Sequence, residues 1–121
     1  MNLKVLNRDF SVCKVKNLVD IDFSDEFVFV GKTDEELSLV CSTEKAPIHC
    51  IERDDSWSAF RIEGVLDFSL VGILAKISSL LAENSISIFA VSTYNTDYIL
   101  IKKDKFECAV KVLTAAGYVF K

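Results

Sequence analysis

The sequence predicts an α+β fold, and two observations carry that prediction. Residues 58–121 show the hydrophobic periods of strand, helix, strand, strand, helix and strand, in that order. Residues 1–56 contain short β-rich runs and no helical period. Half of the 121 residues are hydrophobic and only 26% are charged, with four glycines and one proline, so the chain is expected to fold.

The first strand and helix of the second half are read from their periods. Residues 58–63 alternate apolar and polar side chains, which is typical of a strand with one face in the core. Apolar residues then recur at spacings of three and four, which predicts a helix with one apolar stripe: Leu70, Ile73, Leu74, Ile77, Leu80 and Leu81. Asn84 is expected to end this helix in a left-handed conformation.

Two more strands, at residues 86–94 and 97–103, follow the first helix. Their joint, Asn95-Thr96, is short enough only for an antiparallel hairpin. A second helix is expected to begin at Asp104, with Glu107 completing a capping box, and to end at Gly117. Residues 118–120 form a last short strand.

This order of elements is that of a ferredoxin-like fold, in which two helices cover one face of a four-stranded antiparallel sheet. Three strand-like runs precede it, at residues 10–15, 27–30 and 37–41. They match a degenerate, mostly β copy of the same unit whose helices are reduced to turns. We therefore expect an N-terminal half at residues 1–56 and a C-terminal domain at residues 57–121.

Charge and hydropathy exclude several classes of protein. A net charge of −4 argues against nucleic-acid binding, because such binding depends on basic side chains that displace counterions. No apolar run approaches the length of a membrane span. The first ten residues lack the features of a signal peptide, so we expect a cytoplasmic protein. The four cysteines form no Cys-x-x-Cys pair, which favours reduced structural thiols over a metal site.

Nothing in the sequence favours catalysis. The one histidine, His49, has no cysteine or serine partner at a recognisable motif spacing. No glycine-rich phosphate loop is present. We therefore expect no enzyme, no cofactor and no metal ion.

Two segments resemble ACT-domain proteins: residues 60–75 read FRIEGVLDFSLVGILA, and residues 86–101 read ISIFAVSTYNTDYILI. Within that family they are similar to small bacterial tandem-ACT proteins related to the cytosolic arginine sensors of the TOR pathway. Residues 33–41, TDEELSLVC, extend the resemblance into the first half. The resemblance implies that an amino acid binds at the turn between the first strand and first helix of the ACT module, shared across a module or subunit interface.

Carried onto this sequence, the resemblance supplies a set of ligand-binding candidates: Asp67, Phe68, Ser69, Leu70, Val71, Gly72, Ile86, Ser87, Asn95, Thr96 and Asp97. Backbone N–H groups at a helix start can hold an α-carboxylate, and a glycine lets the backbone approach it closely. Asp67 and Ser69 can accept from an ammonium group or cap the helix. The resemblance makes Asp97 the partner of a ligand guanidinium. Alternatively, residues 95–97 are only hairpin-turn chemistry.

Two functional hypotheses follow. In the first, the protein is a non-catalytic amino-acid sensor or regulator that forms a homodimer through its sheet edges or helices. In the second, it is a ligand-free adaptor that keeps the same shape for protein interaction. The second predicts that an apolar side chain such as Phe68 or Tyr94 fills the ligand cavity.

Overall fold

The computed structural model describes residues 1–64 and 72–121. These residues divide into two compact units. The N-terminal unit is Arg8–Trp57, and the C-terminal unit is Ser58–Lys121 together with Met1–Asn7. The strands are β1 (Asn2–Lys14), β2 (Val28–Lys32), β3 (Leu37–Ser42), β4 (Glu52–Ile62), β5 (Phe89–Ser92), β6 (Asp97–Lys102) and β7 (Val119–Phe120). The helices are α1 (Ile73–Glu83) and α2 (Lys103–Ala115), and two 3₁₀ turns lie at Leu18–Asp20 and Thr43–Lys45.

The C-terminal unit confirms the predicted ferredoxin-like order of elements, β4-α1-β5-β6-α2-β7. Its strands lie in the order β7-β1-β4-β6-β5. The start of β1 therefore separates β4 from β7, which the sequence did not indicate. Asn2 and Leu3 pair with Val119 and Phe120 in a parallel ladder. The 13-residue β1 offers β4 a longer ladder than a two-residue β7 could.

Both helices of the C-terminal unit lie on one face of its sheet, as predicted. One core cluster joins alternate residues of β4 and β6, such as Phe60 and Ile99, to residues of both helices, such as Ile77 and Leu113. Each of these four side chains is fully buried. The 3.6-residue and two-residue periods of the sequence are therefore satisfied by the same core.

The helix ends differ in detail from the predictions. Asn84 is not left-handed (φ −104°), and the positive φ falls on Ser85 (φ 59°). The Asn84 side chain instead donates to the Leu80 carbonyl, 2.9 Å away. The capping box at Asp104 was also wrong: α2 begins at Lys103, and the N-cap residue, Lys102, makes no side-chain capping hydrogen bond.

The N-terminal unit contains β1, a 3₁₀ turn, β2, β3, a second 3₁₀ turn and the start of β4. Its strands lie in the order β2-β3-β1-β4. One of its core clusters contains Cys13, Val15, Ile21, Leu39 and Cys41. In chain order, the two 3₁₀ turns take the positions that the two helices take in the C-terminal unit. Neither helix among the described residues has the length and apolar content that a membrane span requires.

Candidate functional site

The first helix of the C-terminal unit begins at a left-handed glycine. Gly72 precedes α1 with φ 80° and ψ 0°, a conformation in which side chains are strained. The Lys76 N–H donates to the Gly72 carbonyl over 2.9 Å, which closes the first helical turn. Five predicted residues of this turn lie outside the described residues: Asp67, Phe68, Ser69, Leu70 and Val71.

A cavity of about 300 Å³ lies beside the start of α1. Its lining comes from the helix start and from the end of α2: Met1, Gly72, Ile73, Lys76, Ala116, Gly117 and Tyr118. Lys76 is the only charged side chain among the described residues of that lining, and the free N–H groups of a helix start carry partial positive charge. The cavity is therefore suited to an anionic group such as a carboxylate.

Lys76 was not among the sequence-predicted site residues. Its distance from Gly72 along the chain could have identified it, because a residue four positions later lies on the same side of a helix. Tyr118 was equally unmarked, because its approach to α1 depends on the packing of the last strand. The adaptor hypothesis expected Tyr94 to fill a ligand cavity, but Tyr94 is 78% exposed.

The hairpin between β5 and β6 is attached to the end of β4. The buried Thr96 hydroxyl donates to the Ile62 carbonyl over 2.7 Å. Within the turn, the Thr93 hydroxyl donates to the Thr96 carbonyl over 2.9 Å. Thr96 thus has a structural role in placing the hairpin where β4 leads into the link to α1.

Asp97 and Asn95 lie at this same end of the sheet. Asp97 is the first residue of β6 and is half-buried, and Asn95 is exposed. The Ser92 hydroxyl donates to Asp97 Oδ1 over 2.6 Å. Gly72 lines a cavity with Met1, and the adjacent Asn2 accepts from the Glu63 N–H just after β4, so Gly72 also belongs to this end of the unit.

Ile86 and Ser87 lie at the other end of α1. The helix has 11 residues, which corresponds to a length of roughly 16 Å. Ile86 belongs to the core and is 4% exposed, whereas Ser87 is exposed. Both line a second cavity of about 620 Å³ with residues of the last turns of α1. The structure therefore does not bring Gly72 and Ser87 of one chain to the same cavity.

A charged pair near the hairpin was also missed from sequence. The Arg61 guanidinium lies 3.4 Å from both the Glu63 carboxylate and the Tyr98 hydroxyl. The contact with Tyr98 is the main cause that raises the pKa of Arg61. Arg61 therefore stays cationic, with its charge partly compensated by Glu63.

Within residues 1–64 and 72–121, no group of three His, Cys, Asp or Glu side chains has an arrangement that could hold a metal ion. His49 is exposed. All four cysteines are free thiols.

Comparison with known proteins gives a family match. The sequence model of the ACT-domain family matches residues 52–115, the segment from β4 to α2. Among curated proteins, the rat "Cytosolic arginine sensor for mTORC1 subunit 1" is 36% identical over 58 residues, and the mouse protein of that name is 38% identical over 58 residues. Each match covers 47% of this chain and 18% of the relative, so the matched region spans about a fifth of those proteins.

Two solved structures match nearly the whole chain. A protein from Agrobacterium tumefaciens superposes with a TM-score of 0.88 at 31% identity, covering 99% of this chain and 91% of that one. A protein from Vibrio cholerae superposes with a TM-score of 0.75 at 26% identity, covering 92% and 85%. The similarity thus extends beyond the matched ACT segment.

Proposed function

The chain belongs to the ACT-domain family, and from that premise we propose that it is a non-catalytic regulatory protein whose ligand is a free amino acid. ACT domains are regulatory modules that bind amino acids. The observation that carries the proposal is the cavity at the start of α1, where Lys76 and the helix N-terminus present positive charge to a space of about 300 Å³. That volume is at the lower end of small-molecule pockets, as suits a small ligand.

In this proposal the α-carboxylate of the ligand lies against the first turn of α1. Backbone N–H groups and the Lys76 ammonium group would donate to it, since the first N–H groups of a helix have no intrahelical acceptor. Gly72 has no side chain to obstruct the approach. The resemblance to the ACT family adds Asp67 and Ser69 as acceptors for the ligand ammonium group.

We propose arginine as the first ligand to test. Two relatives at 36–38% identity are named as arginine sensors. The Asp97 carboxylate lies at the same end of the sheet as Gly72, and a carboxylate forms paired hydrogen bonds with a guanidinium. A carboxylate accepts about four hydrogen bonds, of which Ser92 supplies one to Oδ1.

The proposed active form is a cytoplasmic homodimer. Gly72 and Ser87 lie at opposite ends of α1, so one ligand can contact both only if they come from different copies of the chain. A two-fold symmetric dimer would place the Ser87 end of one copy beside the α1 start of its partner. Light scattering in the presence of arginine should report twice the chain mass, and a strict monomer would contradict this arrangement.

We also propose that the N-terminal unit is a degenerate ACT-like half. Numbered in its own chain order, its strands lie as 4-1-3-2, which is the ferredoxin-like order. Its two 3₁₀ turns occupy the places of the two helices. Deletion of both helices in an ancestral copy accounts for this order without a change of topology.

Thermal unfolding with each of the twenty amino acids tests the ligand class. A cognate amino acid at one hundred times its dissociation constant should raise the free energy of unfolding by about 2.7 kcal/mol. An unchanged melting temperature with all twenty at millimolar concentration would favour the adaptor hypothesis.

A pair of variants tests the role of Asp97. Asp97→Asn removes the charge that would pair with a guanidinium, so arginine affinity in titration calorimetry should fall by tenfold or more. Ser92→Ala is the matched control, because it removes the hydroxyl bonded to Asp97 and leaves the carboxylate. If both variants bind arginine like the unsubstituted protein, Asp97 has only a turn role.

A further inference from the structure

Three of the four cysteines meet in the core of the N-terminal unit. Cys13 lies in β1, Cys41 lies in β3, and Cys50 precedes β4. Cys13 and Cys41 are each 2% exposed, whereas Cys50 is partly exposed and packs against their cluster. Cys13 is the middle member of the cluster, because β1 lies between β3 and β4 in the sheet. Nothing in the proposed function uses this cluster.

The strand register decides which pair of thiols can join. In the antiparallel ladder between β1 and β3, Cys13 stands opposite Leu39, and Cys41 stands opposite Ser11. Cys13 and Cys41 are therefore diagonal neighbours, whose Cα atoms are typically about 7–8 Å apart. A disulfide needs Cα atoms within about 7 Å, so bridging this pair would require two strands to move.

Cys50, unlike Cys13 and Cys41, is not held in a strand. It lies in the segment before β4, where the first anchor to β1 is the hydrogen bond from the Ile51 N–H to the Lys14 carbonyl. Its thiol donates to the Pro47 carbonyl over 3.3 Å, within the same short segment. Because Cys50 lies in no strand, its segment can move towards Cys13 without breaking a strand ladder.

The two thiols also differ in reactivity. Cys50 is the member of the cluster that solvent can reach, and susceptibility of a thiol to oxidation follows its exposure. Burial, as the main cause, raises the pKa of the Cys13 thiol to about 12 and that of Cys41 to about 11. An oxidant therefore meets Cys50 first, and Cys13 is positioned to attack second.

We propose that Cys50 and Cys13 form a reversible disulfide when hydrogen peroxide oxidises the protein. The Cys50 thiolate attacks one peroxide oxygen, the O–O bond breaks, and the departing hydroxide is protonated to water, leaving Cys50 as a sulfenic acid. Cys13 Sγ then attacks the Cys50 sulfur. The S–O bond breaks, and the hydroxide leaves with the Cys13 proton as a second water. Overall, two thiols lose two electrons and two protons to one peroxide.

The test uses the whole folded chain carrying Cys108→Ser, which removes the exposed thiol on α2. After peroxide treatment, we expect the intact mass to fall by two hydrogen atoms and to recover with dithiothreitol. Mass spectrometry of non-reduced peptides should link Cys13 to Cys50. A Cys13–Cys41 link, or Cys50 oxidised to sulfinic acid beside a free Cys13, would overturn the proposal.

Two further variants in the same background sharpen the result. Cys41→Ala should still form the link, because Cys41 takes no part in the reaction. Cys50→Ser should form no disulfide under the same treatment, and a Cys13–Cys41 disulfide in this variant would contradict the proposal. The peptide mapping in the Cys108→Ser background decides the matter even if Cys50→Ser fails to fold.

Discussion

The buried Thr96 hydroxyl donates a hydrogen bond of 2.7 Å to the Ile62 carbonyl. This contact joins the β5–β6 hairpin to the last residue of β4, immediately before the link to α1. It therefore holds the hairpin that carries Asp97 at the end of the sheet where α1 begins. Together with the β5–β6 ladder, this contact sets the position of the proposed guanidinium partner.

Thr96→Val keeps the shape of the side chain and removes the donor. The Ile62 carbonyl loses a buried partner, so the free energy of unfolding should fall by about 1–3 kcal/mol. Urea unfolding measures this change. Thr114→Val, at an exposed position of α2, is the control and should stay within about 0.5 kcal/mol of the unsubstituted protein. Equal effects at both positions would mean that the hydrogen bond adds no net stability.

Lys76→Ala tests the cavity beside α1. Loss of the ammonium group should weaken binding of the cognate amino acid by tenfold or more, because a hydrogen bond to a charged group contributes about 1.5–3 kcal/mol. Lys105→Ala makes the same change of charge at an exposed position of α2 outside the cavity lining. Calorimetry should find its affinity unchanged. Equal affinities in both variants would remove Lys76 from the site.

Gly117→Ala tests the end of α2. Gly117 has φ 102°, and a side chain there would meet nothing within 4 Å, so the cost of substitution is conformational rather than steric. The protein should lose about 1–2 kcal/mol of stability. Gly31→Ala in β2 is the control, since Gly31 has no positive φ and an added Cβ would lie 4.0 Å from Ser38 Cβ. Thermal unfolding should show a clear loss only for Gly117→Ala.

Asp25 should make stability depend on pH in acid. Hydrogen bonds from Ser42 and Arg8 hold the pKa of Asp25 at about 2, below the usual 3.8. A lowered folded-state pKa stabilises the protein above pH 3.8, and this contribution is lost as the pH falls towards 2. Asp25→Asn should therefore be about 1–2 kcal/mol less stable at pH 7 and nearly equal to the unsubstituted protein at pH 2.

Urea unfolding at pH 7, 4, 3 and 2 measures the Asp25 effect. Asp34→Asn, in the exposed turn between β2 and β3, changes the net charge equally and controls for it. A difference between Asp25→Asn and the unsubstituted protein that stays constant down to pH 2 would exclude the linkage to Asp25.

The elements of residues 58–121 could be predicted because the hydrophobic period of each segment agrees with the way the segment packs in the core. The apolar stripes that predict α1 and α2 are the surfaces that pack on Phe60 and Ile99. Single-residue features were less secure. The sequence favoured Asn84 as the left-handed residue, but Asn84 bonds back to Leu80 and the next residue, Ser85, takes the positive φ. Which of two adjacent residues turns the chain depends on how the next segment packs.

The candidate site was only partly predictable for a similar reason. The family resemblance indicated Asp97 and Gly72, and the structure assigns both to the end of the unit where β4 leads into α1. Lys76 and Tyr118 were missed, because they meet at the cavity only after α1 and the last strand have packed. The neighbouring thiols of Cys13 and Cys50 are likewise 37 positions apart in the chain.

The sequence by itself determined the type and order of the elements in residues 58–121, the single helix-covered face of the sheet and the family, because hydrophobic period and local motifs are encoded within short stretches. Tertiary structure alone decided that the start of β1 separates β4 from β7, that Ile86 is a core residue, and that Ser87 and Gly72 lie at opposite ends of α1. Those outcomes depend on which distant segments pair or pack with each other, and the hydrophobic period of a single segment does not contain that information.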